Sequence, residues 1–182
     1  MSNTRNFTMV APGLHSSRRF LDLDDSRRSL FFYLLTSPHQ TSCGCSQIRP
    51  GYACADLGPD WPMPKYLTCL ADIEGAGLII TDPDTNEIYI ERWFKHNSKG
   101  SWKYAKAVAG QIAKIESEML REKVNADFLA TDMGQAAFEA GEAEKVADIP
   151  SAANADNRLL TTRLMQKGNS DIHPAHIYRH VR

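Results

Sequence analysis

"EGAGLIITDPDTNEIYIERW", residues Glu74 to Trp93, is the stretch on which the fold turns. Leu78, Ile79, Ile80 and Thr81 make a short extended run, and Pro83, Asp84, Thr85 and Asn86 after it are turn formers. Ile88 and Ile90, with Trp93 beyond them, then alternate with Tyr89 and Glu91, the period-two spacing of a half-buried strand. Together they predict a β-hairpin. Gly75 or Gly77 ends a helix in front of it, because a left-handed terminus costs glycine far less than a residue with a β-carbon. The same Gly-Ala-Gly superficially matches a phosphate-binding turn. Such a turn follows a strand and opens a helix, the reverse of the order here.

Upstream, "DDSRRSLFFYLLTSPH" is a helix capped by Asp24 or Asp25, with Ser26 as competitor, since their side chains accept from unpaired backbone amides. Leu30, Phe31, Leu34 and Leu35 recur at helical spacing, and Pro38 stops the helix. "HQTSCGCSQI" is a turn and then an extended piece around Cys45 to Ile48. "PGYACADL" is a second helix that opens on Pro50, ends at Gly58 and Pro59, and turns Tyr52, Ala53 and Leu57 inward. "PKYLTCLADIEGAG" is the third, with Met63, Leu67, Leu70 and Ile73 on its buried side. The lead-in "LHSSRRFLDL" docks Phe20, Leu21 and Leu23. Helix, strand, helix, tight turn, helix, hairpin is the order of a winged helix-turn-helix. The expected class is therefore α+β, mostly α, a three-helix bundle closed by a β-hairpin wing. That fold requires a two-stranded ribbon within residues 78–93 and inward-facing Leu67 and Leu70.

At 182 residues and 42% apolar content, the chain suffices for one compact domain with an appendage. A net charge of −1 points to no partner class, but the charges are segregated. Residues 14–97 hold eight Lys/Arg against eleven Asp/Glu, and residues 158–182 hold five against one. The expected organisation is a flexible N-terminus (1–13), a winged-helix domain (14–98), a long helix (99–126), and a weakly helical or flexible tail (127–182). No apolar run approaches a membrane span, and the N-terminus lacks the apolar core of a signal peptide, so a cytoplasmic protein is expected. The four cysteines then read as reduced thiols, and Cys43-Gly-Cys45 is too tight for the usual zinc loop. No metal and no cofactor are expected. Nor is an enzyme: a Gly-rich phosphate loop, a nucleophile elbow and an HExxH helix are all missing from the sequence.

With these residues laid out, "FLDLDDSRRSLFFYLLTSPH", "IRPGYACADLG", "LADIEGAGLI" and "TNEIYIERWFKHN" resemble the N-terminal winged-helix module of phage and prophage replication proteins, the replisome organisers related to DnaD-like initiators. The resemblance covers about residues 14–100. It implies a DNA-associated role in phage replication or a place in a phage gene cluster, and it suits a homodimer and a host or phage replication protein as partner.

A winged helix lays its third helix in the major groove, while wing and helix ends meet phosphates. Here that helix would offer Lys65, Tyr66 and Thr68, with Asp72 opposing; the wing carries Asp82, Asp84 and Glu87, the wrong sign for phosphate. The stronger basic feature is "RWFKHNSKGSWKYAK", where Arg92, Lys95, Lys99, Lys103 and Lys106 stand among Trp93, Phe94, Trp102 and Tyr104 without a carboxylate. Cations interleaved with aromatics suit duplex or single-stranded DNA. The competing reading has Trp93 and Phe94 sealing the core beneath a solvated lysine face. Arg18, Arg19, Arg27 and Arg28 form a second basic group.

Further on, Ala105, Val108, Ile112, Ile115 and Met119 step by three and four along a long helix, either as a dimerisation seam or as a stripe docked on the winged domain. Weak helices are expected around Phe128 and Phe138, then a basic tail with His173, His176 and His180. The expected function is DNA binding in replication initiation or transcriptional control. The alternative is a phage-encoded adaptor or inhibitor of a host enzyme, for example an anti-defence protein, that uses a winged helix with an acidic wing.

Overall fold

The computed structural model describes residues 8–97 and 101–147, with side chains to residue 141. The chain is α+β and mostly helical, with one three-stranded antiparallel sheet. A 3-10 turn (Pro12–Ser16) and the short helix α1 (Arg18–Leu21) lead in. They bury Phe20, and Leu23 follows it into the core, while Leu21 stays exposed. Helix α2 (Asp25–Thr36) is capped by Asp24, whose carboxylate accepts from Arg27 N–H at 2.9 Å. It buries Leu30, Phe31, Leu34 and Leu35 as their spacing demands. Strand β1 (Cys45–Gln47) leads to α3 (Pro50–Leu57) and then α4 (Met63–Gly75).

Helix α4 ends as the glycines predict. Gly77 takes φ 69, its N–H reaches Glu74 O at 2.8 Å, and Leu78 N–H reaches Ile73 O at 3.3 Å. That bond pair is a Schellman terminator. Strands β2 (Ile79–Asp82) and β3 (Glu87–Ile90) follow as a hairpin whose turn places Asn86 at φ 57. The strand order is β1-β3-β2, with Ile80 opposite Tyr89 and Ser46 opposite Ile88.

The expected ribbon is present, but the second requirement set for the winged helix, an inward-facing Leu67 and Leu70, is not met, because the buried stripe of α4 differs. Tyr66, Cys69 and Ile73 face the core; Leu67 is 47% exposed, Met63 is 41% exposed, and Leu70 is half-buried. Two apolar stripes run along this helix, and the one carrying the phenol ring fills the space beside α2 and α3. Helix α4 closes on the bundle one residue out of the expected phase. On α3, Ala53 is buried, but Tyr52 points outward at 60% exposure.

The larger departure lies after the hairpin. Trp93 does not extend β3; it opens a short helix, α5 (Trp93–Asn97). The long helix expected over residues 99–126 is two helices, α6 (Trp102–Ile112) and α7 (Glu118–Leu129), broken where Ser117 caps α7 by accepting from Leu120 N–H. Val108, Ile112 and Ile115 are buried inside this chain, so they are not a free dimerisation seam, and Met119 alone of that series is exposed at 53%. The alternative weighed for that stripe, docking on its own domain, describes them. Helix α7 packs on β2 and β3, covering the sheet face opposite α4. Consequently all four residues of β3 are buried, including Tyr89, which the alternation had placed outward. Buried residues from Phe20 to Phe128 thus contribute to one hydrophobic core. Helix α8 (Asp132–Ala147) is the last described element; the His173, His176 and His180 segment lies outside the described residues.

Candidate functional site

The outward face of α4 is poorly furnished for phosphate. Tyr66 is fully buried, so it cannot reach a groove; burial raises its phenol to about 12. Lys65 is turned back on its own turn, with Nζ donating to Asp60 O at 3.2 Å and lying 4.6 Å from the Trp61 ring centroid. The Thr68 hydroxyl donates to Pro64 O at 2.9 Å, and Asp72 accepts from Arg27 Nε at 2.8 Å. What remains is Met63, Leu67 and Ala71, an apolar surface.

The hairpin's carboxylates are also engaged within the molecule. Glu87 is buried and accepts from the N–H groups of Glu116 at 3.0 Å and Ser117 at 2.8 Å, so a strand residue caps the start of α7. A hydrogen bond from the Ser117 side chain holds the Asp82 carboxyl below the usual range, and Asp82 also accepts from Asp84 N–H at 3.0 Å. Glu74 accepts from both Thr81 N–H and the Thr81 hydroxyl, at 2.7 and 2.9 Å, fastening the hairpin to α4. Only Asp84, at the turn, keeps its carboxylate in the open. Serine 117 followed by Glu118 is itself an N-cap signal in the sequence, and it would have located the break before α7.

The basic residues meet elsewhere. A cleft of about 270 Å³ opens between the N-terminal lead-in and the β3–α5 junction, floored by Leu14, Phe31, Leu78 and Ile90 and rimmed by Arg19, Arg92, Lys95 and His96. Arg19 is fixed there by donating to Gly77 O at 2.6 Å. Among the described lining residues Glu91 is the one acid; Lys123 lies 3.7 Å from it and is held more closely, at 2.9 Å, by Asp127. Arg92, exposed, sits at φ 59, where a residue with a β-carbon pays roughly 1–2 kcal/mol. That outlier turns the chain from β3 into α5, a task glycine would perform without strain. Trp93 beneath it is buried and donates from Nε1 to Ser42 O at 2.9 Å. Phe94 is buried too, with its ring 5.3 Å from that of Phe128. These two aromatics seal the core and are not stacking platforms.

Of the expected nucleic-acid residues, Arg92 and Lys95 therefore share one cleft, and exposed Lys103 lies on α6, whose Tyr104 hydroxyl reaches the same Ser42 O at 3.5 Å. Lys99 lies outside the described residues. Lys65 stands near the N-terminal end of α4, while Arg92 follows the strand that pairs beyond its C-terminal end; the helix from Lys65 to Gly75 spans about 15 Å. Arg19 joins the site from far upstream, a partner the local sequence pattern did not assign. No three His, Cys, Asp or Glu side chains gather as a metal site among the described residues, and no described helix is long and apolar enough to cross a membrane. Against models of known families, curated proteins and solved structures, the chain has no match.

Proposed function

We propose that the chain is a winged-helix module that binds DNA in phage-type replication or gene control, gripping the backbone from the cleft beside Arg92 rather than through α4. The element order, with sheet order β1-β3-β2, supports the winged-helix reading. The observation that carries the DNA reading is the gathering of Arg19, Arg92, Lys95 and His96 at one rim, against Glu91 as the single acid among the described lining residues. An arginine kept at a left-handed position, where glycine would be unstrained, adds to it, because strain of this kind persists where the side chain has work.

The test is duplex and single-stranded DNA binding across a salt series. The double variant Arg92→Glu, Lys95→Glu is expected to bind at least tenfold more weakly and to flatten the log–log salt slope by about two. Lys65→Glu is expected to change affinity less. Equal binding by the double variant and the parent chain sinks the proposal.

A second reading, an adaptor or inhibitor of a host enzyme, is favoured by one observation: the outward face of α4 is apolar where a groove-reading helix would be polar. Capture from bacterial lysate with and without nuclease separates a direct protein partner from one bridged by DNA.

A further inference from the structure

Of the chain's three tryptophans, Trp61 and Trp93 are buried, whereas Trp102 is 44% exposed in the first turn of α6. Its ring is not part of the buried stripe of that helix, which is Ala105, Val108 and Ile112. Exposed Lys103 stands next to it. Tyr104 links this turn to the basic cleft. Its Oη reaches Ser42 O at 3.5 Å, and Trp93 donates to the same carbonyl at 2.9 Å, so the starts of α5 and α6 hang on one point. Trp102 is five residues beyond Asn97, which lines the cleft, a span of at most about 18 Å.

The cleft is furnished for more than phosphate. Met9 and Val10 of the lead-in present exposed apolar side chains on its wall, and exposed Arg92 and Lys95 stand at its rim. At about 270 Å³ it lies near the small end of ligand pockets, which suits one base better than a longer ligand. Duplex DNA has no use for an apolar wall or an open indole. Its base faces are covered by their neighbours in the stack, and it offers a protein edges and phosphates. A single strand offers phosphates together with uncovered base faces. Resting on the DNA reading of this surface, we infer that it selects single-stranded DNA. Phosphates lie on Arg92 and Lys95, one unstacked base enters the cleft against Met9 and Val10, and another stacks on the Trp102 indole beside Lys103. The cations set affinity for any nucleic acid, while the apolar wall and the ring set the preference for bases that are free of a stack.

The experiment uses the full chain and three probes of twelve nucleotides or base pairs: oligothymidine, a duplex, and an abasic strand that carries the same phosphates without bases. Anisotropy of labelled probes gives affinity, and tryptophan emission is followed with unlabelled ones. Oligothymidine is expected to bind at least tenfold tighter than either of the others. Saturation with it should quench emission, a quench that belongs to Trp102 because Trp61 and Trp93 are sealed in the core. Trp102→Ala should weaken single-strand binding at least fivefold and leave duplex binding unchanged. Trp102→Phe, which keeps a ring, should restore most of the affinity while abolishing the quench. Val10→Glu should weaken single-strand binding too, with an unchanged thermal midpoint, since Val10 lies outside the core. Equal affinity for oligothymidine and either of the other probes, or a quench that survives Trp102→Phe, would overturn the inference. If that equal binding is still lost in the double variant Arg92→Glu, Lys95→Glu, the cleft remains a DNA site without strand selection. Failure to bind any of the three probes removes the DNA reading and the inference together.

Discussion

The two faces of the sheet are held by packing and polar bonds in different proportions. Toward α2 and α4, the side chains of Ile88 and Ile90 are buried among aliphatic and aromatic neighbours, and the Glu74 carboxylate accepting from Thr81 is the polar tie beside that packing. Toward α6 and α7, the same strand turns Glu87 and Tyr89, and directional bonds fix the register: Glu87 to the start of α7, and Tyr89 Oη donating to Asp127 at 2.9 Å. Gln111 of α6 accepts from Cys43 N–H at 3.1 Å beside them. Apolar packing tolerates rearrangement at modest cost, whereas a buried polar anchor left without its partner costs the full desolvation of the orphan. The helical layer added after the hairpin is thus positioned by a few polar contacts on top of its own apolar core.

The largest effect on that contrast is expected where both layers meet, at Gly44. It takes φ 79, and a β-carbon there would stand 2.3 Å from Trp93 Cγ. Gly44→Ala should destabilise the chain by about 3 kcal/mol, combining left-handed strain with displacement of a buried indole. Urea denaturation measures it, and a loss below about 1 kcal/mol would mean that Trp93 is not the rigid joint described.

A smaller loss is expected from Glu87→Ala, about 2 kcal/mol, because two amide donors at the start of α7 lose a buried acceptor. Hydrogen exchange should quicken first in α7 and leave α2 and α4 protected. Uniform loss of protection would show the two faces to be one cooperative unit without polar preference.

The smallest effect is a pH dependence. Burial, with Asp127 beside it, pushes the Tyr89 phenol well above its ordinary value of 10.0, and burial raises Tyr33 and Tyr66 as well. Unfolded tyrosines give up their protons near pH 10 while the folded ones keep theirs. Stability from these groups is therefore whole below about pH 10 and falls as pH rises above it. Tyr89→Phe should cost about 1 kcal/mol at neutral pH and make the thermal midpoint less sensitive between pH 10 and 11. An unchanged alkaline slope would remove Tyr89 from the account.

The same contrast explains what the sequence made legible. The hairpin, its preceding glycine terminator, and the α2 stripe were readable because turn formers and three-four spacing act locally. The phase of α4 was not. Met63, Leu67 and Leu70 make as good a stripe as Tyr66, Cys69 and Ile73, and only the space between neighbouring helices chooses. The outer layer was harder still, since Glu87, Tyr89, Gln111 and Asp127 read individually as surface residues. The site shows the same limit. Arg92 and Lys95 stood out beside one another, but Arg19 is brought to them by a bond to the carbonyl of Gly77, 58 positions away.

Helix α7 over the hairpin has a practical corollary. Excising the stretch that looks like a self-sufficient module, by stopping at residue 97, would strip the lid from Tyr89 and the ring partner from Phe94. The shortened polypeptide would display a greasy, adhesive flank prone to clumping. Apparent oligomers of such a fragment would then report a wound rather than an interface.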